Sequence, residues 1–438
     1  MRGVQFLMFG DMLKQLFAQG GKDKTGSSHA AKRIGGFQAF AVSLSSRVGT
    51  GNLAGVASAI FIGGPGAIFW MWIMALLGAA TAFVEATLAQ LYKRKGEDAY
   101  YGGPAYYMEQ GLHRRWMGVL FAVLITITFG LANQIVQSNT LCTALSDSLP
   151  VSNMSVGIIL TIATMLIVFG GIQRISRFAS MVVPFMAVGY LLLSIVVIGM
   201  NITAIPHVLR VIIDSAFGLE QFAGGALGMT IVMGVKRGLF SNEAGEGSAP
   251  NAAAIAETTH PVKQGLLQAL GVFTDTIVIC TCTAFIILLA GIYTGGDNGI
   301  SLTSHSLETL IGPAGRYFVT AAIFLFAYST IIANYFYGET NIRFVASKHK
   351  SVPILVFRLL TGGVVLAGAF LDLESAFSIV DICMGLMTIC NLVAIVLLSG
   401  KVSTLLKDYK RQRHEGLDPQ FSKSILSAED QKDVECWQ

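Results

Sequence analysis

Two short polar runs stand out from an otherwise apolar chain. The first is Ser46-Arg47-Val48-Gly49-Thr50-Gly51-Asn52. The second is Gly238-Leu239-Phe240-Ser241-Asn242-Glu243-Ala244-Gly245-Glu246-Gly247-Ser248-Ala249-Pro250. Each lies in the middle of a stretch long enough to be a membrane helix, and each is a poor helix interior. Irregular backbone at membrane depth persists only where protein buries it or where it lines a cavity. A helix broken at mid-depth leaves free N–H groups where it restarts, which suit a carboxylate. It leaves free carbonyls where it stops, which suit Na⁺ or an ammonium group. The expected stops are Arg47 and Lys236–Leu239. The expected restarts are Asn52 and Ser248, with Ser248 as N-cap and Pro250 early in the new helix. Together the two breaks offer an anion site and a cation site, matched to an amino-acid zwitterion plus Na⁺.

The elements that must position these runs follow from composition. Of 438 residues, 53% are apolar and 13% charged, and the mean hydropathy is +0.63. A soluble chain carries about 25% charge, so an ordinary cytosolic enzyme and a disordered chain are both excluded. Ten stretches approach the ~20 apolar residues of a membrane span. They run over 35–62, 66–92, 116–146, 154–172, 177–200, 222–256, 264–293, 315–341, 353–371 and 376–399. Residues 204–216 are short and amphipathic and read as an interfacial helix. The polar runs fall in stretches one and six. Five is odd, so the second half of the chain would enter the membrane inverted relative to the first. Interrupted helices at matching positions of two inverted halves point to a transporter binding site; kinks that merely allow tight packing are the plainer alternative.

Basic residues set orientation. With the N-terminus inside, twenty-four Lys and Arg fall on the inner side, against only Arg210 and Arg316 outside. The inner set includes Arg2, Lys14, Lys22, Lys24, Lys32 and Arg33, the Lys93–Lys95 run, Arg114, Arg115, Arg343, Lys348, Lys350 and the tail. Arg47, Lys236, Arg237 and Arg358 lie within spans. Both termini are therefore expected in the cytoplasm. The expected organisation is an N-terminal arm over 1–34, a five-helix repeat over 35–200, an outer connection over 201–221, an inverted repeat over 222–399 and an inner tail over 400–438. No cleavable signal segment is visible.

Several chemistries find no support in the sequence. The six cysteines have no metal spacing and read as packing residues. The seven histidines fall in expected loops or tails, against an intramembrane histidine relay. No HExxH, GxSxG or Walker A run occurs, so neither an enzyme nor direct ATP drive is expected. A channel is disfavoured because its filter usually repeats, and the two breaks differ from one another. Among the intramembrane charges, Arg237 is expected to pair with Glu243, and Arg47 with Asp275 or Glu246, as structural or gating ion pairs. Glu85, near Lys93–Lys95, reads as an interfacial acid. Trp70, Trp72 and Trp116 read as interface-belt residues.

The stretch Val48-Gly49-Thr50-Gly51-Asn52-Leu53-Ala54-Gly55-Val56-Ala57 resembles the hallmark of the alanine/glycine:cation symporters. So do Gly63–Trp72, Gly102–Tyr107, Arg237–Pro250, Asp275-Thr276 and Phe326–Thr330. The resemblance runs from residue 2 to about 415. It implies an all-α leucine-transporter-type fold of two inverted five-helix repeats, importing small neutral amino acids with Na⁺ or H⁺ across a bacterial inner membrane. No cofactor beyond the transported ion is implied, and nucleic acid is not expected as a partner. By the same resemblance, Thr50, Gly51 and Asn52 would hold the substrate carboxylate, and Gln137 would contact the substrate. Phe240 would close the apolar side, with Thr330 near the amino acid or the ion. A sodium site would draw on carbonyls near Val48 and Gly51 and on the Ser329 or Thr330 hydroxyls. The chain departs from the family pattern twice. It starts after an extra hydrophobic helix that the family usually carries. It also has Asn334 where better-known members place a tryptophan against the substrate side chain. That exchange enlarges the pocket and admits serine or glutamine beside alanine and glycine. Another small polar solute, carried by the same fold, is the competing expectation.

Overall fold

A computed structural model describes residues 3–18, 34–96, 99–218, 224–346, 351–371 and 373–437. Of the charges counted above, Arg2, Lys22, Lys24, Lys32, Arg33, Lys348 and Lys350 lie outside the described residues, as do His29, His349 and positions 222–223 of the sixth stretch.

All ten expected stretches carry helix. In chain order the helices are α1 Phe9–Ala18, α2 Gly36–Arg47, α3 Gly51–Gly63, α4 Ala67–Leu91, α5 Pro104–Gln110, α6 Arg115–Ser148, α7 Asn153–Val168 and α8 Gly171–Met200. They continue with α9 Ile205–Ala216, α10 Gly224–Asn242, α11 Pro250–Ala254, α12 Pro261–Ala290, α13 Gly299–Ile311, α14 Pro313–Val345, α15 Ser351–Gly368 and α16 Leu373–His414. Among the described residues, seven are long and apolar enough to cross a membrane: α4, α6, α8, α12, α14, α15 and the Ala376–His414 part of α16.

The first stretch is the pair α2 and α3, and the sixth is α10 and α11. The long helices pack in pairs across the chain. Helix α4 lies on α12, α6 on α14 and α7 on α15, so partners come from matching positions of the two halves. The broken helices sit inside this frame, with α2 against α8 and α14, and α10 against α4. Two-residue strands tie the same ends together. Ile34–Gly35, leading into α2, pairs in parallel with Ala256–Glu257, which follows α11.

Of the helices just named, α1, α5 and α13 lie outside both the ten stretches and the expected interfacial helix. Helix α5 starts behind Gly103, at φ 128°, with a proline in its first turn. Helix α1 carries Met12 into the core beside α12, and Met8, just before the helix, is buried too. Helix α13 is too short for a span, yet it buries Ile300, Thr303 and Leu307 on one face. It lies over α3, where the Thr303 hydroxyl donates to the Leu53 carbonyl at 3.0 Å. The tenth stretch also runs past its expected end at 399, to His414. Beyond it the tail folds back on the bundle. The Phe421 N–H donates to the Thr259 carbonyl at 2.8 Å, and the Trp437 indole N–H donates to the Gln90 carbonyl at 2.9 Å.

Candidate functional site

The first break is short. Helix α2 stops at Arg47 because Val48 takes φ −79° and ψ 84°, outside the helical region. The chain re-forms as π-helix over Gly51–Gly55 before α3 continues as α-helix. The carbonyls freed at the end of α2 converge on α14. The Thr330 hydroxyl lies 2.8 Å from the Ser45 oxygen, 3.3 Å from that of Ser46 and 3.4 Å from that of Val48. Its own helix adds the Phe326 carbonyl at 2.9 Å. One hydroxyl proton serves one acceptor at a time, so acceptors outnumber donors here. Such a surplus of oxygen is what a hard cation coordinates. Gly49 is required beside it, because a Cβ there would lie 3.0 Å from the Gln137 amide oxygen and press on the Thr330 hydroxyl.

Asp275, in a π-helical segment of α12, joins the two breaks. One carboxylate oxygen accepts from the Asn52 amide at 2.6 Å. The other accepts from the Ser241 hydroxyl at 2.6 Å and the Thr276 hydroxyl at 2.8 Å. Asn52 also accepts from the Gly49 N–H at 2.9 Å, which fixes the turn of the first break. The Cys280 sulfur sits 3.3 Å from Asn52 and 3.1 Å from Ser241.

The second break runs from Glu243 to Ala249. Its backbone needs left-handed residues at Glu243 (φ 53°), Gly245 (φ 88°) and Gly247 (φ 83°). Glu243 accepts from the Ser46 hydroxyl at 2.5 Å and the Ser248 hydroxyl at 2.6 Å, so it too links the breaks. Ser46 is also 2.7 Å from the Asn334 amide oxygen. On the other side, the Thr50 N–H donates to Gln137 at 3.1 Å, and Gln137 donates to Asn133 at 3.1 Å. Phe240 packs edge-on against Phe377 at 5.5 Å and lies against Gly51. Thr50, Asn52, Asp275, Thr330 and Asn334 are fully buried. Among the described residues, the Thr50 hydroxyl and the Asn334 amide nitrogen have no hydrogen-bond partner.

Residues 1–423 match the sodium:alanine symporter family over nearly the whole chain. The chain belongs to the sodium:alanine symporter family. It is 50% identical over 412 residues to the probable sodium/glutamine symporter GlnT of Bacillus subtilis, covering 94% of this chain and 85% of that one. It is 48% identical to the amino-acid carrier protein AlsT of the same organism, over 93% and 86% of the two chains. Identity to the sodium/alanine symporter AgcS of Methanococcus maripaludis is 40%, over 87% and 85%. Among solved structures, the substrate-bound, outward-open state of a Na⁺-coupled sialic acid symporter superposes with a TM-score of 0.57. It is 14% identical and covers 98% of this chain and 95% of that one. This symporter-family chain therefore has a leucine-transporter-type fold, with its first and sixth members discontinuous.

Within this symporter-family site, the expected residues divide. Val48, Thr50, Gly51, Asn52, Gln137, Phe240, Thr330 and Asn334 gather around the two breaks. Of the expected cation ligands, Ser329 touches only the Phe326 edge of the oxygen cluster, and the Gly51 carbonyl is turned away from it. The Ser329 hydroxyl donates to the Phe326 carbonyl at 3.0 Å and lies 3.6 Å from the Met186 sulfur. The Gly51 carbonyl accepts from the Val56 N–H inside the π-turn.

The expected ion pairs are not formed. Arg237 stacks on Phe377, 4.5 Å from the ring centre, because α10 stays helical to Asn242 and turns it away from Glu243. Arg47 has no carboxylate within 4 Å among the described residues. It donates instead to the Gln268 carbonyl at 3.2 Å, in space left by Gly271. Gly238 does not open the sixth stretch. It sits within α10, where a Cβ would lie 3.2 Å from that of Met74, so it serves close packing. Ser248 is not the N-cap of α11; its hydroxyl goes to Glu243, and α11 is a five-residue helix behind Ala249.

Glu85 is no interfacial acid. It is fully buried and accepts from the Asn391 amide at 3.0 Å. That amide also donates to the Gly245 carbonyl at 3.0 Å, and Asn391 accepts from the Tyr107 hydroxyl. Asn391 and Ser241 were not singled out from the sequence. Ser241 lay inside the second polar run. Asn391 was legible only as a lone amide in the tenth stretch.

Proposed function

We propose that this chain imports small neutral amino acids, alanine, glycine, serine and glutamine among them, driven by a Na⁺ gradient through alternating access. The observation that carries the reading is the Thr330 hydroxyl among three carbonyl oxygens at the end of a broken helix and a fourth from its own helix. A Na⁺ ion bound there would use the Val48 carbonyl and the Thr330 oxygen, with the hydroxyl proton turned to Phe326. Thr50, Gly51 and Asn52 would receive the substrate carboxylate. The free Thr50 hydroxyl supports this, since a buried polar group without a partner is costly. Gln137 would orient the substrate, and Phe240 would bound it on the apolar side. Ion and substrate would thus share one short stretch of backbone, so binding of one orders the other.

Asn334 supports a broader range than alanine and glycine. Its amide nitrogen lacks a partner among the described residues and can meet a polar side chain. The name of GlnT, a probable sodium/glutamine symporter, accords with that reading. Both termini are assigned to the cytoplasmic side of a bacterial inner membrane, on the distribution of basic residues.

One observation favours a second reading, coupling to H⁺. Glu246 is fully buried, and neither of its carboxyl oxygens has a hydrogen-bond partner among the described residues. A relative of 43% identity is named a putative sodium/proton-dependent alanine carrier. Uptake of an amino-acid panel by proteoliposomes, with Na⁺ and H⁺ gradients imposed separately, separates the two. Uptake under the Na⁺ gradient alone supports Na⁺ coupling. Uptake that needs only the H⁺ gradient overturns it.

A further inference from the structure

We infer that the seam between α6 and α16 is a binding site for one anionic phospholipid, its phosphate on Arg114 and an acyl chain along the groove. The groove has a volume of about 770 Å³. Its walls are aliphatic: Leu120 and Leu124 on α6 face Leu386, Ile389, Val393 and Leu397 on α16. Four of these, Leu386, Ile389, Val393 and Leu397, are 50–66% exposed. From Leu386 to Leu397 the groove is roughly 17 Å long, at 1.5 Å per residue. Half of a ~30 Å hydrocarbon core is about 15 Å. The length therefore suits the acyl chain of a single leaflet.

The charged end selects the headgroup. Arg114 lines the groove and is exposed at the start of α6. Three neighbouring bases each face an acid. Arg115 lies 2.5 Å from Glu109, Arg94 lies 3.5 Å from Glu109, and His113 lies 3.6 Å from Asp433. Arg114 has none within 4 Å among the described residues. It stands at the N-terminus of a long helix, whose first N–H groups are unpaired and favour phosphate. Trp116, 66% exposed, sits at the same rim, as expected of a residue at the headgroup level. A guanidinium, a helix N-terminus and an apolar channel together match a phosphodiester with its chain attached. Basic pockets between membrane helices hold anionic headgroups in this way.

The site also has an inner consequence. Ile389, Cys390 and Val393 line the groove, while Asn391 points inward to Glu85 and the Gly245 carbonyl. A lipid in the groove would brace α16 against the second break.

The test uses the purified full chain in detergent, titrated with phosphatidylglycerol or phosphatidylcholine and followed by native mass spectrometry. The native chain should retain phosphatidylglycerol about fivefold better, the ratio equivalent to the ~1 kcal/mol of one basic residue at an anionic surface. Arg114→Gln, at an exposed side chain with no hydrogen bond or ion pair among the described residues, should erase that preference while the chain stays monodisperse. Leu124→Trp should lower retention of both lipids. Equal retention of the two lipids by the native chain, or an unchanged preference in R114Q, would overturn the site. Competition by glycerol 3-phosphate at the same concentration as the lipid would overturn the groove, since no acyl chain would then be needed.

Discussion

The Asn52 amide donates to the Asp275 carboxylate at 2.6 Å, while the same carboxylate accepts from Ser241 at 2.6 Å. One side chain of α12 thus holds the restart of the first broken helix to the end of the first half of the second. The breaks are distant in sequence, and Asp275 makes them one site.

Replacing Asn52 with Ala removes its bonds to Asp275 and to the Gly49 N–H. Two bonds of about 1.5 kcal/mol each predict a fall in uptake of at least roughly 100-fold. The check is radiolabelled amino-acid uptake in proteoliposomes, with membrane insertion measured in parallel. Near-normal uptake would remove Asn52 from the site.

Thr330 and Ser329 are adjacent but face different ways. Thr330→Ala should raise the Na⁺ half-saturation about tenfold, one ligand being worth ~1.4 kcal/mol. Ser329→Ala should change it little, because that hydroxyl shares only the Phe326 carbonyl with Thr330, lies by the Met186 sulfur and, among the described residues, meets none of the α2-end carbonyls. Equal effects of the two substitutions would place the ion elsewhere.

Asn334→Trp should narrow the range towards alanine and glycine. An indole fills the space beside Ser46 and removes the free amide nitrogen. Competition of unlabelled serine and glutamine against labelled alanine reads this directly. An unchanged competition profile would refute the size argument.

His260, at the start of α12, predicts a pH effect on stability. Burial pushes its imidazole down to about 4, against the pull of Asp408, while the Lys263 charge lowers it further. The unfolded chain therefore binds the extra proton near pH 6.5 and the folded chain does so only near 4. Stability is full above pH 6.5 and falls as pH drops towards 4, by up to ~1.4 kcal/mol per unit. Thermal unfolding across that range should show the slope, and His260→Gln should flatten it. An identical slope in both proteins would assign the effect to other groups.

The broken helices were legible because glycine, amide and charge at mid-span contradict a helix interior. Their partners were not. Asp275 and Asn52 are more than two hundred residues apart, and only the fold brings them together. Arg47 looked like an ion-pair member because charge in a membrane demands compensation, yet a carbonyl at Gln268 meets it. Gly238 looked like a breaker, since one sequence cannot separate glycine used for close packing from glycine used for turning. Helix α13, with 13 residues, falls short of the ~20 apolar residues that mark a membrane span, so it does not stand out in the sequence. Its buried positions, Ile300, Thr303 and Leu307, were nonetheless spaced as one helical face.

The short parallel ladder between Ile34–Gly35 and Ala256–Glu257 has a mechanical meaning. It fastens the lead into α2 to the exit from α11, so it acts as a yoke across the two half-helices. A tilt of either one pulls the other through the same backbone bonds. At that end of the bundle the two half-helices are therefore harnessed side by side, and neither can lean without loading the other.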